Sequence, residues 1–192
     1  MSGSTAAAPP PPARQQREPR AGETALHMAA ANGNACAVEL LVSFPETNVN
    51  IRCVAGRAPL HAAAESGCAE CVAALLARAD TDINARASNG VTPLMVAVTR
   101  GARACVDALL ARPDCDATAT HRATGANAVH LAVAGGEMTR ECLDALMLSA
   151  AGRAALAGRD VYGRTPYVLA SQLGYVDALQ QMLDAAAPLA VD

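Results

Sequence analysis

Cys68 and Cys71 form a C-x-x-C pair, the spacing of a redox dithiol or of half a zinc site. A zinc site needs a second ligand pair, and none follows at a suitable distance. Cys71, Cys105 and Cys142 each stand directly before an aliphatic residue, Val72, Val106 and Leu143. That shared setting marks them as small core side chains. Three of the four histidines, His27, His61 and His130, each lie five residues after a glycine, at Gly22, Gly56 and Gly125. Recurrence at one place predicts rings that bridge turns, a structural task and not a catalytic one. His121, beside Arg122, sits in a connecting loop. Asp80 with Asp82, and Asp114 with Asp116, offer paired carboxylates but lack the glycine and distal glutamate of a calcium loop. No glycine-rich phosphate loop, G-x-S-x-G elbow or Ser/His/Asp constellation occurs. The side chains able to do chemistry are thus distributed by a period and not gathered into a centre.

That period organises the chain. Five segments align on one another: GETALHMAAANGNACAVELLV, GRAPLHAAAESGCAECVAALLA, GVTPLMVAVTRGARACVDALLA, GANAVHLAVAGGEMTRECLDALML and GRTPYVLASQLGYVDALQQML. Their leading glycines, Gly22, Gly56, Gly90, Gly125 and Gly163, are spaced 34, 34, 35 and 38 residues apart. In each segment the glycine supplies a turn. Two residues later Thr24, Thr92 or Thr165 is placed to cap a helix, and Pro59, Pro93 or Pro166 fits its first turn. A short alanine-rich helix closes at a second glycine, Gly33, Gly67, Gly101, Gly136 or Gly174. A second helix follows with apolar residues at i, i+3 and i+4, as in Val72, Leu75 and Leu76. NVNIRCVAG, TDINARASNG and RDVYG read as extended hairpin connections. One such pair cannot bury its apolar face alone, whereas stacked pairs can. The small pairs Ala29–Ala30, Ala63–Ala64 and Ala97–Val98 allow close approach of the first helices.

Composition agrees. Hydrophobic residues make up 52% but aromatics only 2%, with no Trp, which suits small side chains packed between helices. All 15 basic residues are Arg, each a planar bidentate fork, and the net charge of −3 gives no global attraction to nucleic acid or anionic membrane. Seven cysteines and an N-terminus without an apolar signal core point to a reducing compartment, cytoplasmic or nuclear. No uninterrupted apolar run reaches the roughly 18 residues needed to span a bilayer. Residues 1–21, with a four-proline run, are expected to be a disordered or polyproline II tail, inert or an SH3/WW ligand. Residues 22–187 form the array, and 188–192 a C-terminal tail. Gln180, Gln181 and Asp184 give the last helix a capping polar side, Tyr167 belongs to the core, and Phe44 seals a loop.

The strings TALHMAA, APLHAAAESG, TPLMVAVTRG and TPYVLASQLG resemble the TPLHxAA…G core of the ankyrin repeat, and DINAR and NVNIR are similar to its closing segment. The resemblance spans residues 22 to about 186. It implies an all-α, ankyrin-type α-solenoid of about five helix-turn-helix repeats joined by hairpin loops. Departures are Met95 and Val168 for His, Ala25 and Ala128 for Pro, and Asn127 for Thr. The fourth unit departs most, with two extra residues in GGEMTRECL and a long stretch from Ser149 to Tyr162.

The resemblance further implies a monomeric protein–protein interaction module, neither enzyme nor cofactor binder, acting as scaffold, adaptor or inhibitor through its concave face. Carried onto this chain, that face comprises Arg52, Arg57, Arg86, Asn89, Arg100, Arg122, Tyr162 and Arg164. The second helices place Glu39, Glu70, Asp107, Asp144 and Asp177 on the back. A basic inner edge predicts a protein partner with an acidic or phosphorylated segment, and neither nucleic acid nor membrane. The rival expectation is a thiol redox or metal-binding protein that uses Cys68 and Cys71.

Overall fold

A computed structural model describes residues 20–186. Among the described residues there are eleven α-helices and no strands. They form five pairs: α1 (Ala25–Ala31) with α2 (Ala35–Ser43), α3 (Pro59–Ser66) with α4 (Ala69–Leu76), α5 (Pro93–Thr99) with α6 (Arg103–Leu110), α7 (Ala128–Ala134) with α8 (Arg140–Leu148), and α10 (Pro166–Leu173) with α11 (Val176–Ala186). Between the last two pairs lies α9 (Ala150–Ala154). First helices pack on first helices and second on second, so the chain is a two-layered helix-turn-helix solenoid. Residues 1–19 and 187–192, which hold most of the expected N-terminal tail and the whole C-terminal one, lie outside the described residues.

Local sequence accounts for the helix ends. Pro59, Pro93 and Pro166 open α3, α5 and α10, where no N–H is needed and φ is already helical. Thr92 Oγ1 accepts from the Met95 N–H, and Thr165 Oγ1 from that of Val168. The ten glycines that lead and close the repeats all have positive φ, between 58° and 82°, where a side chain would be strained. Ala30, Ala63, Ala64, Ala97 and Val98 are fully buried between first helices, and Val72, Leu75, Val106, Leu109 and Met182 are fully buried in the same continuous core.

Each repeat is tied to the next through backbone carbonyls. His27 Nε2 donates to Arg57 O at 2.8 Å, His61 Nε2 to Val91 O at 3.0 Å and His130 Nε2 to Arg164 O at 2.9 Å. On the other side of the ring, Nδ1 accepts from the N–H of Thr24, Ala58 or Asn127. In His27 and His61 both contacts require the neutral ring with its proton on Nε2, whereas His130 Nδ1 also lies 2.8 Å from Asn127 Oδ1. The loops are joined in the same manner. Asn50 Nδ2 donates to Asp80 O while its Oδ1 accepts from Asp82 N–H, and Asn84 does the same with Asp114 O and Asp116 N–H.

The fourth unit absorbs its extra residues in two places. A 3-10 turn, Gly136–Thr139, lengthens the link between α7 and α8. The stretch from Ser149 folds into α9 and a further 3-10 turn, Ala155–Ala157. Ser149 Oγ caps α9 by accepting from Gly152 N–H at 2.9 Å. Gly152 sits so close to Leu146 O that a Cβ there would collide with it. Asn127 explains its departure from Thr. Its Oδ1 caps α7, and its Nδ2 reaches Ala155 O at 2.7 Å, which anchors the insertion.

Met95 occupies the bridging place in the third repeat and is fully buried. It can neither donate to Ala126 O nor accept from Thr92 N–H. Met95→His is therefore expected to add one inter-repeat hydrogen bond and raise stability by about 1 kcal/mol, read as a higher urea midpoint at unchanged slope. A lower midpoint would show that the third junction cannot seat a ring.

Burial pushes the His61 ring down to about 4, against the pull of the Val91 carbonyl. Because this folded value lies below the ordinary 6.5, the unfolded chain takes the proton first as pH falls. Stability complete above pH 6.5 is then lost progressively down to about pH 4, about 3 kcal/mol in all. His61→Met, with a side chain the third repeat already buries at this place, is expected to flatten that decline. Denaturant titrations between pH 7 and pH 5 check it in a window above the range where Glu65 contributes.

Candidate partner-binding face

The hairpins that lead each repeat carry most of the residues expected to meet a partner. In the first, Cys53 N–H donates to Arg57 O and Gly56 N–H to Cys53 O, a tight turn repeated at Ala87–Val91 and Asp160–Arg164. The third is one residue longer, closing through His121 N–H to Ala126 O. His121 also caps its own turn, its Nδ1 accepting from Thr124 N–H at 3.2 Å. Successive tips are linked by single backbone bonds: Val54 N–H to Ala21 O, Ser88 N–H to Ala55 O, Arg122 N–H to Asn89 O and Val161 N–H to Thr124 O. The tips thus form a continuous ladder with a fixed spacing of side chains.

On this ladder the arginines have different tasks. Arg52 donates to Gly56 O and to Arg86 O, and its guanidinium lies 3.5 Å from Asp82. Arg86 reaches on to Thr120 O at 2.6 Å. These two are splints between neighbouring hairpins. Arg57 and Arg100 converge on Glu65, at 2.6 and 2.8 Å, and Arg20 joins them at 3.3 Å. Arg164 is held by the buried Asp160 at 2.7 Å, with its guanidinium 4.7 Å over the Tyr162 ring. Asn89 turns its Oδ1 back to Val91 N–H. Arg122 is exposed, and no described residue pairs with its guanidinium. Tyr162 is 76% exposed.

The inner edge is therefore less basic than the Arg count implies, because Glu65, which the repeat pattern does not single out, pairs with Arg20, Arg57 and Arg100. Burial alone would raise the Glu65 pKa, but the bonds from Arg20 and Arg100 and the charge of Arg57 hold it at about 2. A signal existed. Glu65 is the one acidic residue in any of the five first helices. The paired loop aspartates are likewise engaged, Asp80 with Arg78 and Asp114 with Arg112. On the back, Glu39, Glu70, Asp107 and Asp177 are exposed and Asp144 is half-buried.

The C-x-x-C pair is divided between surface and core. Cys71 is fully buried, while Cys68 is half-buried at the N-cap of α4, its Sγ accepting from Cys71 N–H at 3.4 Å and donating to Glu70 at 3.3 Å. All described cysteines are free thiols. Burial pushes Cys105 and Cys142 up to about 11, and Cys115 to about 12. Among the described residues no three His, Cys, Asp or Glu side chains gather as a metal site would require. None of the described helices is long and apolar enough to cross a membrane.

No curated protein matches the chain. A family model for ankyrin repeats, three copies of the repeat in length, matches it over residues 9–87, 26–121 and 94–191. Such repeats are in general protein–protein interaction modules and typically not enzymes. With the bridging histidines, the αL glycines and the stacked helix pairs already in place, the match is decisive: the chain belongs to the ankyrin-repeat family.

Proposed function

We propose that this protein holds a partner protein along its hairpin tips and the adjoining ends of its first helices, acting as a scaffold, adaptor or inhibitor by occlusion. The observation that carries the proposal is a contrast along the ladder. The backbone is bonded from tip to tip, yet the Arg122 guanidinium and the Tyr162 hydroxyl project from it with no hydrogen bond to any described residue. A backbone bonded in this way presents its side chains at set spacings before a partner arrives, and Arg and Tyr are the side chains on which interface energy concentrates. Arg122 offers its full fork to an acidic or phosphorylated side chain. Arg100, exposed although paired with Glu65, is a further cation available to such a segment. Arg52 and Arg86 support the face by holding its hairpins together. The site works outside a membrane, in a compartment that keeps thiols reduced.

Affinity capture from native extract tests this with wild type beside an Arg122→Ser/Tyr162→Ala variant. Both side chains are exposed, so the variant keeps its helix content. A captured protein should bind the variant more than tenfold more weakly in a direct titration. Equal binding by both forms removes the partner from the hairpin tips.

The same proposal expects no reactive dithiol. With a thiol reagent near pH 8, the exposed Cys36 is expected to react first, and Cys71, Cys105, Cys115 and Cys142 only as the chain unfolds. Fast paired loss of Cys68 and Cys71 in the native protein would instead favour the redox alternative.

A further inference from the structure

The two ends of the solenoid are faces of the same junction that the chain makes four times within itself. At the C-terminal end, Val168 takes the bridging place held by His27, His61, Met95 and His130. Those four are buried, but Val168 is 43% exposed. Leu183 of α11 is 56% exposed, whereas its counterparts Val42, Leu76, Leu110 and Met147 are buried or half-buried under the following repeat. At the N-terminal end, Ala25 is exposed where Pro59, Pro93, Ala128 and Pro166 are buried against the preceding repeat. Leu40 is 63% exposed where Ala74, Ala108 and Ala145 are half-buried or buried. Phe44 does not seal its loop. It is exposed at the place of Arg78 and Arg112, which reach back to the carbonyls of Val42 and Leu76 in the preceding repeat.

The ladder ends are complementary too. Tyr162 O is the next acceptor after Ala21, Ala55, Asn89 and Thr124, and no described residue donates to it. Arg20 N–H is the donor before Val54, Ser88, Arg122 and Val161, and it is met only by the flexible end of the Glu23 side chain at 2.9 Å. One end offers an acceptor and apolar side chains. The other offers a donor and apolar side chains.

We infer that the chain associates head to tail with a second copy, the first repeat of one molecule stacking on the fifth repeat of another. In that contact Phe44 lies over Leu183, because inside the chain Arg78 lies over Val42 and Arg112 over Leu76. Arg20 N–H exchanges the Glu23 carboxylate for Tyr162 O of the neighbouring molecule. No hydrogen bond from a histidine forms, since Val168 has no ring, so the apolar contact carries the association. The contact is heterologous, so each molecule keeps one free end and the assembly grows with concentration. Apart from the one ladder bond at Tyr162 O, this inference uses the end faces, and Phe44 and Leu183 are not among the residues proposed to meet a partner.

Sedimentation of the whole 192-residue chain tests it, with Phe44→Glu blocking one end and Leu183→Glu the other. Both residues are exposed, and helix content measured by circular dichroism confirms that each variant is folded. Wild type is expected to rise past twice the monomer mass as concentration approaches about 1 mM. Each variant alone should remain monomeric. An equimolar mixture should form a species of twice the monomer mass and nothing larger, because one good end of each kind remains. A wild type that stays monomeric throughout overturns the inference. So does a Phe44→Glu variant that still dimerises alone, which would mean packing of two C-terminal faces.

Discussion

Everything in this structure depends on one unmet need: a helix pair of this length has an apolar face that it cannot cover and turn carbonyls that it cannot satisfy. The next repeat meets both at once. The imidazole of one repeat reaches the carbonyl just past the leading glycine of its successor, and the aliphatic residues of both close over the same seam. A bonded interior is needed because a buried polar group without a partner costs more than a typical hydrogen bond contributes. Hence the ring's neighbours must sit at fixed offsets. The conspicuous features of the sequence are consequences of this single seam.

Where a structural requirement acts within one repeat, it was legible in the residues. Pro59 and Pro93 at helix starts, the paired glycines and the Ala63–Ala64 contact all follow from local backbone rules that repeat with the period. The bridging task of the histidines was legible as well, because three of them recur at one place. What stayed hidden depends on pairs of residues distant in sequence. Glu65 gathers Arg20, Arg57 and Arg100 from three different repeats or their margins, and no periodicity announces that meeting. Helix α9 was hidden for another reason. Its signal is a single capping serine within a short alanine-rich stretch, too brief for a helical period to emerge.

The distribution of charge also differs from what composition suggests. A chain with arginine as its only cation presents many forks, but most of them here are consumed by its own backbone carbonyls and carboxylates. Arg52 and Arg86 act as cross-ties, and Arg78 and Arg112 each reach back to the preceding repeat. Five donors in a planar array suit this work better than an ammonium would. Specificity on the inner edge then comes from the few positions left over and not from a uniform basic field.

The absence of a ring at Met95 has a consequence for how the array comes apart. In a linear stack, stability is the sum of repeat and junction terms, and the chain parts most readily where a junction is poorest. The seam between α5 and α7 lacks the imidazole bond that its three fellows possess, and it borders the longest hairpin tip. The run of imidazole bonds is thus broken once, between a block of three repeats and a block of two. Amide protons along that seam are placed to exchange through an opening that leaves both blocks folded.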